Sequence, residues 1–514
     1  MIRRTGVMIV GTLSIALAVP GCGDGSNAAK RTAPERPFQG TTIVVVAVDD
    51  SAILNVVEAQ RGEWETARGG IVELRKKTVD PQSLGDADVV FFQGDRLGDL
   101  IDENALETLP ETFADSPSSP EEARGRVDFQ AIVPAFREEV SHYGKSRVAL
   151  PIGGSALVLV YRKDAFQREA NVSEAKKADL ALEPPETWER LDGLARFFHG
   201  RDWSGDGAVD SGIALALGPD RDEGVADAIA LARAASSGMH PDDFSFLFDA
   251  ETLAPRVASP PFLETFRALK ALATLGPPGM SEFDAEAARQ RFRAGETALL
   301  IDRAERWTGW VDPKSSKGRD ISIGVAPLPG SKRVFDRDRS RWDDSRGINR
   351  PTWLLRGGGL LVGVSIKSPQ AKRAAVLDFL TYLISPETAE RMRADRGFDL
   401  IPVRDALIGQ GLADPRLAPG VDGRLWAAAV GQTFHVARVS PGLRIRDARG
   451  YLADFGLSRA KSLAGSDPLS ALEDLSRAWK ERSKVLDLPR QTWHYRRSLI
   501  ELSAPDQPPP RSLK

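Results

Sequence analysis

The sequence predicts an α/β protein built as two lobes, each a mostly parallel sheet flanked by helices, joined by crossing strands. Three observations lead there. The amino-terminal part repeats strand, polar loop and helix, the rhythm of a parallel sheet. Two glycine-flanked apolar strands of the same build stand far apart, in VALPIGGSALVLVYRKDAF (148–166) and RGGGLLVGVS (356–365). A chain of 514 residues also exceeds what one core organises. Crossing strands of this kind permit hinge closure around a ligand.

Composition sets the class. With 42% hydrophobic and 27% charged residues the chain is an ordinary globular protein. A formal net charge of −3 argues against a nucleic-acid binder, which concentrates basic residues on one face. The single cysteine, Cys22, excludes an internal disulfide framework and a cysteine-based zinc site. His142, His199, His240, His435 and His494 show no metal-ligand spacing such as HExxH. No metal or other cofactor is expected from them.

Residues 1–21 read as a signal peptide: Arg3 and Arg4 precede a short apolar run, Val7 to Val19. Val19-Pro20-Gly21-Cys22 resembles a bacterial lipobox, with cleavage before a lipidated Cys22. Lipid chains then anchor the protein to a membrane, each buried CH₂ contributing ~0.8 kcal/mol. Residues 22–38 are a tether of Gly, Ser, Asn, Pro and charge, with no means of burying a core.

Thr41 to Val48 is a buried-type strand ending in Asp49 and Asp50. Ile53 to Thr66 has helical spacing. Asp88 to Phe92 is a second apolar strand, followed by Asp95-Arg96 and a helix, Leu97 to Asn104. In parallel sheets ligands sit beyond the carboxyl ends of the strands, so Asp49, Asp50, Asp95 and Arg96 are candidate ligand contacts; helix capping and solvated loop charge are the alternative. In the first glycine segment, Pro151, Gly153 and Gly154 bend readily and bring backbone close to a ligand, and Gly358 occupies the second.

Thr187 is placed to cap a helix carrying Leu191, Leu194, Ala195 and Phe198 at i, i+3, i+4, i+7. Asp202, Ser204, Asp206 and Asp210 match the front of a calcium loop, but Ile213 stands at its twelfth position, where a glutamate belongs, so the site is incomplete; an Asx-rich turn into a strand is the alternative. Val225 to Ser236 and Pro261 to Leu275 are amphipathic helices. Thr297 to Ile301 is a strand followed by Trp307 and Trp310, either core packing or a platform for the apolar face of a sugar ring. Ile321 to Pro329 is another strand. The charged stretch Ser331 to Arg356 has no period and reads as a long solvated loop. Ser368-Pro369 and Ser385-Pro386 each open a helix. Gly397 to Pro402 carries a further lobe crossing, the chain is mostly helical from Trp426, and residues 505–514 form a Pro-rich, disordered tail.

Five stretches in order carry a family resemblance: DVVFFQGDRLGDLIDENALETL (88–109), ALPIGGSALVLVYRKDAF (149–166), PPETWERLDGLARFF (184–198), FRAGETALLIDRAERW (292–307) and GGGLLVGVSIKSPQAKRAAVLDFLTYLISPETAERMRADRGFDLIPVRDAL (357–407). The chain resembles the extracellular solute-binding proteins of ABC importers, specifically the sugar-binding group (family 1) that includes maltose-binding protein. The resemblance implies the two-lobe periplasmic-binding-protein fold of type II. Lobe I would hold 39–152 and 364–401; lobe II would hold 153–358 and 403–504 with the C-terminal helices. It implies a monomer that binds a carbohydrate in the interlobe cleft, without catalysis, and delivers it to an ABC permease and its ATPase. The location is extracytoplasmic, on a bacterial membrane through the lipid.

Carried over by position, Asp49, Asp50, Asp95 and Arg96 correspond to polar ligand contacts of the family. Ser155 stands where the family has a carboxylate and Phe92 where it has a cleft tryptophan. Trp307 or Trp310 falls near its aromatic platform, and Asp220 to Glu223 occupy a loop that contributes contacts there. Two other classes stay open: a secreted carbohydrate-active enzyme, which needs two carboxylates roughly 5 to 9.5 Å apart, and a binding component for signalling or for another small solute.

Overall fold

A computed structural model describes residues 36–110, 113, 127–219, 224–239, 245–307, 321–395, 397–410, 417–436, 439–499, 505 and 507–511. The signal peptide, Cys22, Asp220, Glu223 and Trp310 lie outside the described residues.

The first lobe is built on a five-stranded sheet in the order Ile71–Leu74, Thr42–Ala47, Val89–Gln93, Leu360–Val364, Leu150–Gly153. Thr42–Ala47 pairs parallel with both neighbours, Val45 opposite Val89. Leu360–Val364 runs antiparallel between Val89–Gln93 and Leu150–Gly153, Leu360 opposite Gln93. The parallel pairing thus belongs to the βα units, and the strands that carry the crossings pair antiparallel. The second sheet has the order Ile323–Pro327, Leu157–Arg162, Thr297–Arg303, Ser211–Ala214. Leu157 lies opposite Arg303 in an antiparallel pair, Ile323–Pro327 is antiparallel too, and only Ser211–Ala214 pairs parallel, so the second sheet is mostly antiparallel and not mostly parallel as expected: its central strands carry a lobe crossing rather than βα units.

Leu157–Arg162 shows why its run is unbrokenly apolar. Leu157, Leu159 and Tyr161 enter one hydrophobic cluster; Val158 and Val160 enter the other. Successive side chains point to opposite faces, and both faces are covered. One cluster fills the first lobe and continues, past Phe136 and Phe434 in edge contact at 4.8 Å, onto one face of the second sheet. The other cluster covers the opposite face and takes in the C-terminal helices Ala448–Leu463 and Pro468–Val485.

Among the described residues three crossings join the lobes. The first runs from Gly153 to Leu157, the second through Leu355–Gly358 into Leu360–Val364. The third is at Ile401, which exchanges backbone hydrogen bonds with Gly154 at 2.8 and 2.9 Å. Capping holds where expected: the Thr187 hydroxyl accepts from Arg190 N–H, and Ser385 accepts from Thr388 N–H. Ser368 differs. Its hydroxyl donates to fully buried Asp88 at 2.8 Å, and the helix starts later, at Arg373. Asp88 also receives Val44 N–H and Lys372 Nζ, so a buried carboxylate outcompetes the cap.

Three further expectations fail. The 331–356 stretch is no loop: Ser331–Asp336 and Arg341–Asn349 pair antiparallel as a hairpin. Phe335 and Trp342 face each other at 5.3 Å, and Asn349 ties the ribbon to the end of helix Val225–Gly238 through Ser236 and Met239 carbonyls. A ribbon solvated along most of its length needs no apolar alternation, which removes the sequence signal. The tether's last residue is the second: Phe38 stacks on Trp64 at 6.0 Å. The third is the tail, where Trp493 Nε1 donates to Pro505 O, Arg490 donates to Pro509 O, and Arg511 meets Asp102 at 3.0 Å. Proline lacks a backbone donor but keeps its carbonyl, and buried donors use it. Among the described residues no helix is long and apolar enough to cross a membrane.

Candidate functional site

The carboxyl ends of Thr42–Ala47 and Val89–Gln93 lead into Asp49 and into the turn Gly94–Arg96. Asp49 has φ of 66°, a left-handed backbone that Asp tolerates better than most residues. Gly94 is required: a Cβ there would lie 2.0 Å from the carbonyl oxygen of Gly357, in the second crossing. That contact sets the turn directly against the hinge.

Here Asp49, Asp95 and Arg96 converge, on one another and on a shared arginine. Arg96 donates to Asp49 through Nε (2.6 Å) and Nη2 (3.1 Å), and to Asp99 through Nη1 (2.9 Å). From helix Ala448–Leu463 comes Arg449, which donates to both oxygens of Asp95 at 3.0 and 2.8 Å and to Asp49 at 2.7 Å. Asp99 accepts Asp447 N–H at 2.7 Å. Burial alone would lower the Arg96 pKa, yet its bonds to Asp49 and Asp99 hold it above the ordinary value. Burial pushes the Asp99 carboxyl up despite the donors around it. Ala448 belongs to the second lobe's cluster, so Arg449 links the two lobes.

Beside this network is a cavity of about 270 Å³ lined by Asp80, Pro81, Gln82, Arg96, Asp99, Glu103 and Arg446. It lies beyond the carboxyl ends of the first sheet, the usual ligand position in open α/β sheets. Six lining residues come from the first lobe; Arg446 follows Ile445 of the second lobe's cluster. Behind it Asp102 forms a buried hub with Arg490, His494, Arg446 and Arg511. Burial would raise the Asp102 carboxyl, but His494 and Arg490 bring it well below the usual carboxylate range.

The remaining site candidates fall elsewhere. Asp50 is a capping residue, accepting Ala52 N–H at 2.8 Å. Phe92 is 0% exposed in the first lobe's core. Trp307 is also 0% exposed: its ring packs edge-on to Phe292 at 5.6 Å, and its N–H is held by Asp302 at 3.0 Å. The short turn after Thr297–Arg303 leaves it in the core, so it offers no platform. Ser155 donates to the buried Glu305, which also receives Arg303 Nε at 2.7 Å and whose pKa burial raises. Gly154 and Gly358 are hinge backbone; Gly358 has φ of 108° and is buried against Val140.

In the calcium candidate, Asp202 accepts Gly205, Asp206 and Gly207 N–H, Asp206 accepts Ala208 N–H, and Asp210 accepts Ser204 N–H. The carboxylates fold an Asx-rich turn into Ser211–Ala214. Among the described residues no group of three or more His, Cys, Asp or Glu is placed to hold a metal ion.

Sequence reasoning missed Arg446 and Arg449, whose partners lie hundreds of positions away. It also missed Asp99, which was legible: it sits three residues after Arg96, within reach on one helical turn.

The family model described as Bacterial extracellular solute-binding protein matches residues 57–390. No curated protein sequence matches. Among solved structures, an ABC transporter solute-binding protein from Agrobacterium radiobacter K84, in complex with ribitol, has a TM-score of 0.61 at 19% identity, covering 87% of this chain and 100% of its own. One from Agrobacterium vitis S4 with bound D-mannitol scores 0.58 at 18% identity, over 87% and 99%. Maltose-bound MalE3 of T. maritima scores 0.55 at 17% identity, over 86% and 100%. At these identities the likeness is one of fold.

Proposed function

Because this chain belongs to the bacterial extracellular solute-binding proteins, we propose that it is the substrate-binding component of an ABC importer. It takes a hydroxyl-rich solute, a sugar or polyol, from outside the cytoplasmic membrane and hands it to a permease with its ATPase. The observation that carries this reading is the meeting of Asp49, Asp95 and Arg96 with Arg449 of the other lobe, beside a polar cavity that Arg446 also lines. Carboxylates accept and guanidiniums donate, which is what hydroxyl groups require. Solved structures of the same fold hold ribitol, D-mannitol and maltose. The two candidate carboxylates are tied by the Arg449 guanidinium rather than poised on a bond, which favours binding over turnover.

The amino terminus supports an anchor: Arg3, Arg4, an apolar run and Cys22. Cys22→Ala moves the protein from the membrane fraction to the soluble one; unchanged membrane association refutes lipidation.

A thermal-shift screen against sugars and polyols tests the binding reading. A ligand that binds only the folded state adds ~2.7 kcal/mol at a hundredfold excess over Kd. No shift with any hydroxylated solute would overturn it.

A further inference from the structure

The geometry points to an acyclic polyol, rather than a ring sugar or an oligosaccharide, as the preferred ligand; this rests on the reading of the chain as a sugar- or polyol-binding protein. A pyranose presents an apolar face, and a flat aromatic ring is its natural partner. Among the described residues no aromatic side chain lines the cavity between Asp80, Arg96, Glu103 and Arg446. Phe92 and Trp307, the rings the sequence offers for that task among the described residues, are both 0% exposed.

The lining is instead a set of hydrogen-bonding groups: the carboxylates of Asp80, Asp99 and Glu103, the guanidiniums of Arg96 and Arg446, and the amide of Gln82. An acyclic polyol carries hydroxyl groups along a flexible chain. Each both donates and accepts, and no apolar ring face is left to cover. Charge argues for neutrality. Among the described residues, Arg96, Arg446, Arg449, Arg490 and Arg511 face Asp49, Asp95, Asp99, Asp102 and Glu103, five charges of each sign, so no surplus cation selects a sugar phosphate or a uronic acid.

Calorimetry on the folded protein tests this with four probes: ribitol, D-mannitol, D-glucose and maltose. The same titrations are run on Asp80→Ala and Arg446→Met. Asp80 is exposed, so its variant folds whatever Arg446 contributes to stability. Ribitol or D-mannitol should bind at least tenfold more tightly than D-glucose or maltose. Each substitution should weaken that binding roughly tenfold, as loss of a charged hydrogen bond does. D-glucose or maltose binding as tightly as either polyol overturns the inference and leaves the binding function standing. Polyol affinity unchanged in both variants overturns it too, because the ligand then sits elsewhere. Binding of none of the probes, together with no shift in the wider screen, overturns the functional reading and the inference with it.

Discussion

Arg449 holds Asp95 with two parallel hydrogen bonds, Nε to Oδ2 at 3.0 Å and Nη2 to Oδ1 at 2.8 Å, across 354 residues of sequence. Asp95 is nearly buried, with 8% of its side chain exposed against 31% for Arg449. Paired donors on one planar carboxylate give both energy and direction. The pair fastens the first lobe's strand ends to a helix of the second.

A double-mutant cycle measures that fastening. Asp95→Ala and Arg449→Ala should each lower stability, and the double variant should lose less than their sum. A coupling of about 1–3 kcal/mol is expected from urea unfolding. Strict additivity would show that the pair holds nothing together. Each single variant should also weaken ligand binding tenfold or more.

Trp307→Ala should cost about 3–5 kcal/mol, the range for truncating a buried aromatic ring. Its ring contacts Phe292, and its N–H is satisfied by Asp302, so truncation leaves a cavity and strips Asp302 of a donor. The fraction that stays folded should bind ligand as the parent does. Intact stability with lost affinity would put this ring in the cleft.

Stability should fall as pH drops below neutrality. Burial lowers the pKa of His494, which lies between the Tyr143 hydroxyl at 2.8 Å and Asp102 at 3.0 Å. Burial also lowers His142 to about 4. Both titrate below the ordinary value of 6.5 in the folded state, whereas the unfolded chain protonates them near it. The unfolded state therefore binds more protons below pH 6.5, and stability decreases with falling pH until the folded-state values are reached. Melting temperature against pH should decline from 7 to 5, and His494→Gln together with His142→Gln should flatten the decline. A profile unchanged by both substitutions would assign the acid sensitivity elsewhere.

Gly94→Ala should destabilise by about 1–3 kcal/mol or more, because the new Cβ meets the Gly357 backbone at 2.0 Å and neither side is a flexible side chain. Gly62→Ala is the control. It lies in helix Leu54–Arg68 with open space around its Cβ, and should stabilise by about 0.5–1 kcal/mol. Equal effects of the two would mean that the hinge contact at Gly94 is loose.

What the amino-acid sequence alone determined was local and periodic. The apolar runs at Thr42–Ala47, Val89–Gln93 and Leu157–Arg162 are strands because a strand covered on both faces needs no polar residue. The caps at Thr187 and Ser385 are legible because a capping oxygen and its N–H partner lie three residues apart. The glycine segments marked the crossings for the same reason: backbone freedom is written in the residue type. Tertiary structure alone decided the rest. Whether Trp307 faces a cleft or a core depends on which of two surfaces Phe292 and Asp302 occupy. The hairpin at 331–349 pairs by backbone hydrogen bonds that its charged side chains do not announce. That Arg449 closes on Asp49 and Asp95 follows from where helix Ala448–Leu463 packs, and no spacing in the sequence encodes it. A charge finds its partner through space, and only the packed fold sets that distance.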